Sequence, residues 1–277
     1  MNIIRLFNLT LFLLTAAVPL ALALGYALLY SLGATGVLNE GITLVNWYKT
    51  LINNNLWQSI GYSIYIAFIT MIIAIGLALW AVVRHGNVFR SGYTAFLIYL
   101  PLTLPATVMG FYSFQLLAKS GLLSRLAFQV GLLHDLAYFP ILINDLWGVG
   151  IIFTHICMAT PFFIILFTNL YHNENLKDFI ALAQTLGAKA SQVTWQIIIP
   201  VLLQKSFATL VLYFVFIMSS YEIPLLLGSQ SRQMISVFTI EKLQRFNLQD
   251  IPQAYAISVL YGLLLIILII NLLGRSK

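Results

Sequence analysis

Five long stretches of this sequence contain no Asp, Glu, Lys or Arg, and they constrain its fold more than any other feature. The uncharged stretches lie between Arg5 and Glu40, Lys49 and Arg84, Arg90 and Lys119, Asp145 and Glu174, and Asp250 and Arg275. Each is longer than the ~20 apolar residues that an α-helix needs to cross a bilayer. A sixth apolar stretch begins after Lys205 and is interrupted by Glu222. Since only 8% of the 277 residues are charged, the sequence indicates an integral membrane protein.

We predict an all-α integral membrane fold with six transmembrane helices, and a single transmembrane domain over residues 1–277. The predicted spans cover residues 9–30, 58–83, 93–117, 147–170, 202–222 and 253–273. The first apolar stretch is too long for a signal peptide and lacks a small-residue cleavage pattern, so it is interpreted as a retained span. Pro101 and Pro105 in the third span and Pro161 in the fourth predict kinks. Such kinks either open an internal path or only shape helix packing.

The distribution of charge predicts the orientation. With six spans, both termini lie on one side of the membrane. That side carries eight basic and two acidic residues, whereas the other side carries six of each. The first set comprises Arg5, Arg84, Arg90, Lys177, Lys189, Lys205, Arg275 and Lys277, with Glu174 and Asp178. Because basic loops stay in the cytoplasm, both termini are predicted to be cytoplasmic. The basic residues do not form a cluster with interleaved aromatics, so no nucleic-acid partner is expected.

A polar, amphipathic island separates the fourth and fifth apolar stretches, and it reads LKDFIALAQTLGAKASQVTWQIIIP over 176–200. One predicted apolar stripe is formed by residues at helical spacing: Leu176, Phe179, Ile180, Ala183 and Leu186. A helix of this kind either lies along the membrane surface or docks into a groove on a partner protein. The island therefore carries more functional information than the apolar segments around it.

The ends of the helices in this island are also predictable. Asn175 and Asp178 suggest an N-terminal capping box, and Gly187 suggests a left-handed turn at the C-terminal end. Ser191 can cap a second short helix, and Pro200 suits the entry to the fifth span. The expected order is helix, glycine turn, helix and membrane span.

The spacing of Gly187, Ile197 and Pro200, within ALAQTLGA and IIIP, resembles the EAA loop of permease subunits in type I ATP-binding-cassette (ABC) importers. Six spans with this loop between the fourth and fifth are also similar to those permeases. The segment 219–228, SSYEIPLLLG, looks like the end of span five in the polyamine, thiamine, sulfate and ferric-ion branch. The sequence departs from the motif where Ala181 replaces its glutamate and Leu182 replaces its first alanine.

The resemblance implies a permease subunit that forms half of a solute path across the bacterial inner membrane. Residues implied to contact the ATPase are Phe179, Ile180, Ala181, Ala183, Gly187, Ala188, Ile197 and Pro200. The implied partners are two ABC ATPase subunits, a second permease, an extracytoplasmic solute-binding protein and membrane lipid. ATP and Mg²⁺ are expected on the ATPase subunits, and this chain itself is expected to bind no cofactor or metal.

The end of span five holds the residues predicted for the translocation path: Ser219, Ser220, Tyr221, Glu222 and Pro224. Glu222 is costly to bury in lipid, so it is expected to face a cavity or water. Pro224 is expected to end the regular helix, and a broken helix beside a carboxylate is typical of a solute path. The alternative is a carboxylate at a helix end that pairs with Arg232. Glu222 and the family branch favour a small cation, such as a polyamine or thiamine, as the solute.

Several chemistries are excluded or set aside by missing motifs. The chain contains no G-x-x-x-x-G-K-[ST] phosphate loop, no H-E-x-x-H and no G-x-S-x-G. It is therefore not expected to hydrolyse ATP itself, and the resemblance to the permeases implies a non-catalytic subunit. His155 lies inside the fourth span, where an interhelical hydrogen bond is predicted rather than a metal site. The competing hypothesis is a membrane-embedded enzyme or assembly factor whose island lies on the bilayer without an ATPase partner.

Overall fold

The computed structural model describes residues 3–36, 39, 41–85 and 93–274. Glu40, Arg90, Arg275 and Lys277 from the charge analysis lie outside the described residues, as does the side chain of Arg5. Regular structure within the described ranges is helical, apart from an isolated bridge between Ser229 and Arg232. The prediction of an all-α membrane fold is therefore confirmed.

Fourteen α-helices are found in the described part of the chain. They are α1 (Ile3–Phe12), α2 (Val18–Ser31), α3 (Val45–Ile52), α4 (Asn54–His85), α5 (Tyr93–Thr103), α6 (Ala106–Leu117), α7 (Leu122–Gln129), α8 (Val149–Asn173), α9 (Leu176–Thr185), α10 (Ala190–Val193), α11 (Ile199–Met218), α12 (Glu222–Leu227), α13 (Ile235–Gln244) and α14 (Asp250–Gly274).

Five helical segments in the described residues are long and apolar enough to cross a membrane. They are Thr10–Ser31, Asn54–His85, Val149–Asn173, Ala190–Met218 and Asp250–Gly274. A sixth candidate is a bent pair, Tyr93–Thr103 with Ala106–Gln129, whose two parts meet at 100°. The described residues thus hold five candidate spans, or six if the bent pair counts as one. The single domain over 1–277 stays a prediction.

The third predicted span is broken rather than kinked. α5 ends at Thr103, and Pro105 is the residue that caps the start of α6. Pro105 has no N–H group and restricts the residue before it to extended backbone, so a helix cannot pass regularly through Leu104. Pro161, in contrast, lies inside the unbroken helix α8.

Two prolines are preceded by a π-helical turn. Leu13–Ala17 lies directly before α2, where Pro19 is in the first turn, and Thr194–Ile198 lies directly before α11 and Pro200. Proline cannot donate to the carbonyl four residues earlier and its ring collides with that carbonyl. A widened turn relieves the collision, which is why the helical path continues through both sites. Pro200 lies in the first turn of α11, as predicted, and within one continuous helical segment, Ala190–Met218.

The described residues form two compact units, one from the chain up to Ser59 together with the chain from Ile235, and one from Ile60–Met234. In the first unit, α14 packs against α2, α3 and α13, and the rings of Tyr30 and Tyr255 lie 4.5 Å apart. In the second unit, α8 is central and contacts α5, α6, α11 and α12. Phe163 and Phe167 on α8 are fully buried. The second unit contains both of the predicted functional segments.

His155 does not make the predicted interhelical hydrogen bond. Its Nδ1 lies 2.9 Å from the carbonyl oxygen of Ile151, four residues earlier in the same helix. The side chain is buried, and its Nε2 has no hydrogen-bond partner among the described residues. The prediction was wrong because the carbonyl oxygen of Ile151, one turn earlier in α8, is within reach of the imidazole.

Candidate functional site

The island begins with a sharp left-handed turn at Asn175. This residue has φ +48° and caps helix α9 without a side-chain hydrogen bond, so the predicted capping box with Asp178 is wrong. A capping side chain needs an extended backbone at the cap, whereas Asn is one of the few residues that adopt the left-handed conformation readily. Asn175 therefore redirects the chain from α8 into α9.

Gly187 ends α9 in the predicted left-handed conformation, with φ +85°. Its N–H donates to the carbonyl of Gln184 at 3.0 Å, and the N–H of Ala188 donates to the carbonyl of Ala183 at 3.0 Å. This pair of bonds is a Schellman motif, which satisfies the last carbonyls of the helix. The glycine turn is thus a defined corner with a fixed direction, and the prediction for Gly187 is confirmed.

The second short helix begins two residues earlier than predicted, and Ser191 is not its cap. Lys189 is the cap residue, and its backbone N–H donates to the side-chain Oε1 of Gln192 at 2.9 Å. The glutamine three residues into the helix therefore satisfies the free backbone donor, as in the returning half of a capping box. Ser191 lies inside α10, where its side chain is exposed.

The predicted apolar stripe of helix α9 is only partly covered by the rest of the chain. Leu176 is fully buried, and Ile180 and Ala183 are half-buried, where α9 packs against α8 and α10. The adjoining part of the same apolar surface is exposed, and it comprises Phe179, Leu182 and Leu186, whose exposed fractions are 56%, 60% and 82%. These three residues follow the i, i+3, i+7 spacing of one helix face, and we call them the outer stripe. Large exposed apolar clusters of this kind mark interaction sites.

The residues predicted to contact the ATPase differ in exposure, and only one of them belongs to the outer stripe. Phe179 belongs to it, and Ala181, Gly187 and Pro200 are also exposed, whereas Ile180, Ala183, Ala188 and Ile197 are half-buried. Leu182 and Leu186 are missing from the predicted contact set, as is Trp195, which is 69% exposed after the glycine turn. The spacing of Phe179, Leu182 and Leu186 is visible in the sequence, but the resemblance to the EAA loop implies contacts at other positions.

An ion pair closes the base of the island. The Nζ of Lys205 on α11 lies 3.0 Å from the Oε2 of Glu174, the residue that follows α8. Both side chains are partly exposed, so a pair of this type contributes only ~0.2–1 kcal/mol to stability. Its position matters more than its energy, because it joins the two helices from which the island emerges.

The break at the end of span five lies before Glu222, not after it. α11 ends at Met218, and α12 begins at Glu222. Pro224 was expected to end the regular helix, but it lies buried in the first turn of α12. That expectation was wrong because backbone N–H groups in a first helical turn have no partner within the helix, so proline is tolerated there.

The predicted path residues lie together around this break. Ser219 and Glu222 are exposed, and Ser220 and Tyr221 are half-buried. Glu222 makes no ion pair with Arg232 in the described structure, so that alternative is not borne out. The carboxylate at the break is therefore available to a ligand or to water.

Helix α12 is held in place by close backbone contacts. The N–H of Asn144 donates to the carbonyl of Leu227 at 2.9 Å. Gly150 on α8 approaches the carbonyl of Leu142 so closely that an added Cβ would lie 2.7 Å from that oxygen and 3.7 Å from the Cβ of Leu227. α12 packs against α6 and α8, so the break is a rigid feature of the second unit.

Comparisons with known proteins bear on both segments. Residues 74–276 match the family described as binding-protein-dependent transport system inner membrane component. The fold is similar to a crystal structure of a bacterial ABC transporter involved in import of the acidic polysaccharide alginate, with a TM-score of 0.73, 14% identity, and coverage of 99% of this chain and 93% of that one.

A second similar structure is a bacterial alginate ABC transporter in complex with an alginate pentasaccharide-bound periplasmic protein. Its TM-score is 0.71 at 15% identity, with coverage of 99% of this chain and 92% of that one. No curated protein matches this chain by sequence.

Proposed function

The chain belongs to the family of inner membrane components of binding-protein-dependent transport systems, and from this premise we propose that its 176–200 island couples it to an ATPase. In this proposal the chain is a permease that forms half of a solute path, with a second permease forming the other half. Two ABC ATPase subunits bind the islands from the cytoplasm. The chain resides in the bacterial inner membrane with both termini cytoplasmic.

The observation that carries this proposal is the outer stripe. Phe179, Leu182 and Leu186 form an apolar helix face that no other described part of the chain covers, on a segment whose ends are well defined. A helix that presents i, i+3, i+7 anchors suits a hydrophobic groove on a partner. The Schellman turn at Gly187 and the pair of Glu174 with Lys205 hold this face in a defined direction.

The same geometry supports a mechanical route from ATP to the solute path. The island runs into one continuous helical segment, Ala190–Met218, which ends at the break before Glu222. The 20 residues of α11 alone extend over ~30 Å at ~1.5 Å per residue. Movement of the island by a closing ATPase dimer would displace this helix as a rod and change the surroundings of Ser219–Glu222. ATP hydrolysis on the ATPase and solute movement at the break would thereby be coupled, although they occur at distinct sites.

We propose that the solute is a small organic cation, such as a polyamine or a thiamine-like compound. Glu222 supplies an exposed negative charge at the break, and Tyr221, Ser219 and Ser220 supply hydroxyl groups that both donate and accept hydrogen bonds. The acidic cargo named for the two solved structures is not carried over, because Glu222 would repel an anionic solute.

The test of the proposed function is co-purification followed by an ATPase assay. The tagged chain, extracted in mild detergent, is expected to retain an ABC ATPase. A photocrosslinker at Phe179 is expected to capture that ATPase, and one at Lys177 serves as a control on the polar side of α9. Hydrolysis in proteoliposomes should rise when solute-loaded binding protein is added. Crosslinks only to phospholipid, with no ATPase retained, would contradict the coupling role and favour a surface-lying island.

The solute proposal has its own test. Uptake of radiolabelled putrescine, spermidine and thiamine into wild-type and Glu222→Gln vesicles separates cation transport from other cargo. Uptake of one cation that falls about tenfold or more in Glu222→Gln, on the scale of a lost charged partner in a binding site, would support a direct contact. Uptake of an anionic oligosaccharide instead would exclude the cation assignment.

A further inference from the structure

Helix α3 has its apolar face outside and its polar face inside. Val45, Tyr48 and Ile52 follow the i, i+3, i+7 spacing of one helix face, and all three are exposed, Tyr48 and Ile52 by 68% and 62%. On the opposite side, Asn46 is half-buried and Thr50 is buried. A helix on a water-facing surface turns its apolar residues inward and its polar residues outward. The reversed pattern indicates that the exposed face of α3 meets an apolar medium.

The polar face of α3 is fixed to the end of α2, where the first candidate span also ends. The Nε1 of Trp47 donates to the Oγ of Ser31 at 3.1 Å, and the Nδ2 of Asn46 donates to the carbonyl oxygen of Ser31 at 3.4 Å. Just before α3, the N–H of Thr43 donates to the carbonyl oxygen of Leu32 at 2.7 Å. Helix α3 also packs against α14. These contacts lie within the first compact unit, and they set the direction of the exposed face.

The other end of α3 meets the start of the next candidate span. Only Asn53 separates α3 from α4. The Nε1 of Trp57 on α4 donates to the carbonyl oxygen of Leu51 at 2.9 Å, and the Trp57 ring is exposed. Tryptophan at the end of a span is typical of the membrane–water interface. Since Leu28 and Leu29 in the last turn of α2 are also exposed, the apolar surface of α3 continues that of the spans it connects, and lipid is the medium common to both.

A shallow polar cleft lies beside α3, next to the start of α14. Its polar lining comes from Thr43, Asn46, Lys49 and Gln249. Among the described lining residues Lys49 is the charged one, and no described group forms an ion pair or hydrogen bond with its side chain. The two amides and the hydroxyl group add neutral hydrogen-bond donors. An ammonium group with neutral donors suits the negatively charged oxygens of a phosphate ester.

The position of the cleft matches the level of lipid headgroups. The cleft is formed where α2 ends and α14 begins, and the headgroup region of a bilayer lies just outside the hydrocarbon core that the spans cross. Asp250 follows Gln249 in the chain but does not line the cleft, and its Oδ1 lies 3.7 Å from the Nζ of Lys242. The charge of Asp250 is therefore offset by Lys242, and the cleft keeps a positive character.

We propose that α3 is an interfacial helix whose apolar face lies in the bilayer surface, and that the cleft at Lys49 binds the phosphate group of a phospholipid. Helices of this kind bury their apolar face ~5–10 Å into the boundary between headgroups and acyl chains. An anionic phospholipid is preferred over a zwitterionic one, because a zwitterionic headgroup brings its own ammonium group towards Lys49. The inference goes beyond the proposed function, since neither the coupling island nor the solute path takes part in it.

Spin labels test the environment of the exposed face. A nitroxide is placed in turn at Val45, Tyr48 and Ile52 in a Cys157→Ala background, with the full chain in nanodiscs. Each label is expected to be more accessible to oxygen, which partitions into lipid, than to a water-soluble nickel reagent. A label at Asn39, an exposed polar residue of the same connection, is the control and should be accessible to nickel. Preferential access of nickel to the three apolar positions, or protection of all three from both reagents by a protein partner, would overturn the lipid assignment.

A photoactivatable phosphatidylglycerol tests the phosphate site. Its crosslinks to α3 are quantified by mass spectrometry in nanodiscs that contain phosphatidylglycerol and phosphatidylcholine. Lys49→Gln is expected to lower the crosslink yield about fivefold, the scale of one lysine at an anionic lipid surface. The matched control is Lys119→Gln, which removes a positive charge at another exposed position and should leave the yield unchanged.

Three results would contradict the phosphate site. A wild-type yield in Lys49→Gln, or an equal loss in Lys119→Gln, would show that the Lys49 ammonium group does not hold the lipid. Loss of the crosslinks when inorganic phosphate is added would assign the cleft to a free anion.

Discussion

The carboxylate of Glu174 and the ammonium group of Lys205 lie 3.0 Å apart, and this contact joins the end of α8 to α11 across the base of the 176–200 island. Thirty residues of chain lie between the two partners, so the pair closes a loop that the backbone alone leaves open. In this sequence the position of the EAA-motif glutamate is occupied by Ala181. Ala181 cannot make an acidic contact, so the carboxylate that does so near the island is that of Glu174.

Charge reversal tests whether this pair keeps the island aligned. Glu174→Lys places two ammonium groups together and is expected to lower the solute imported per ATP by about threefold, which corresponds to less than ~1 kcal/mol. The double swap Glu174→Lys with Lys205→Glu is expected to restore most of the ratio. Measurements at low and high salt provide the control, because screening at high salt should reduce the difference between Glu174→Lys and the wild type. If the double swap imports as little solute per ATP as Glu174→Lys alone, the loss does not come from breaking the ion pair.

Replacement of Gly187 tests the corner between the two helices of the island. An added Cβ meets no atom within 4 Å, so a substitution here is strained only through its φ of +85°. Gly187→Val is expected to abolish transport while membrane insertion survives, because a β-branched residue is a genuine outlier in this conformation. Gly187→Asn should retain much of the activity, since Asn tolerates it at a cost of ~1 kcal/mol. Full transport by Gly187→Val would contradict a rigid corner.

The outer stripe makes a prediction about binding to the ATPase. Leu182→Glu is expected to weaken association of the ATPase by about tenfold or more, because a charge would have to be desolvated in an apolar groove. The matched control is Gln184→Glu, which adds the same side chain two residues away on an exposed position outside the stripe. Association is measured by pull-down titration in detergent. Equal effects of both variants would indicate a general charge effect instead of a specific face.

Two glycine-to-alanine changes have opposite expected effects on stability. In Gly150→Ala the new methyl group would lie 2.7 Å from the backbone oxygen of Leu142, which cannot move away as a side-chain end can. We expect a loss of ~1–3 kcal/mol, as for other overpacked sites. Gly262→Ala in α14 meets no atom within 4 Å and should gain ~0.5–1 kcal/mol from the better helix propensity. Thermal unfolding in detergent measures both, and shifts of the same sign would contradict the packing described for α12.

The helices long and apolar enough to cross a membrane were largely predictable from the sequence. Long uncharged stretches can only be helices in a bilayer, because every backbone polar group must be satisfied within the segment. The left-handed turn at Gly187 was also predictable, since few other residues accept that conformation. The break at Pro105 was predicted as a kink and proved to be a separation into two helices.

The misplaced features depend on contacts that the sequence does not display. Lys189 rather than Ser191 caps α10, and Gln192 satisfies its free N–H, because the helix begins two residues earlier than the pattern suggested. The break in span five falls before Glu222 because α12 is packed against α6 and α8 and starts its own first turn there. The cap of α10 and the position of this break depend on which residues lie next to each other in the folded chain, and the sequence alone does not show that.

Local chemistry in the sequence determined by itself that this is a helical membrane protein with an amphipathic island closed by a glycine. Only the tertiary structure decided which face of α9 is free. Leu176, Ile180 and Ala183 are covered by neighbouring helices, and Phe179, Leu182 and Leu186 are not. Helical periodicity marks all of these apolar positions without distinguishing the covered ones from the free ones, because burial depends on what packs against each part of the helix.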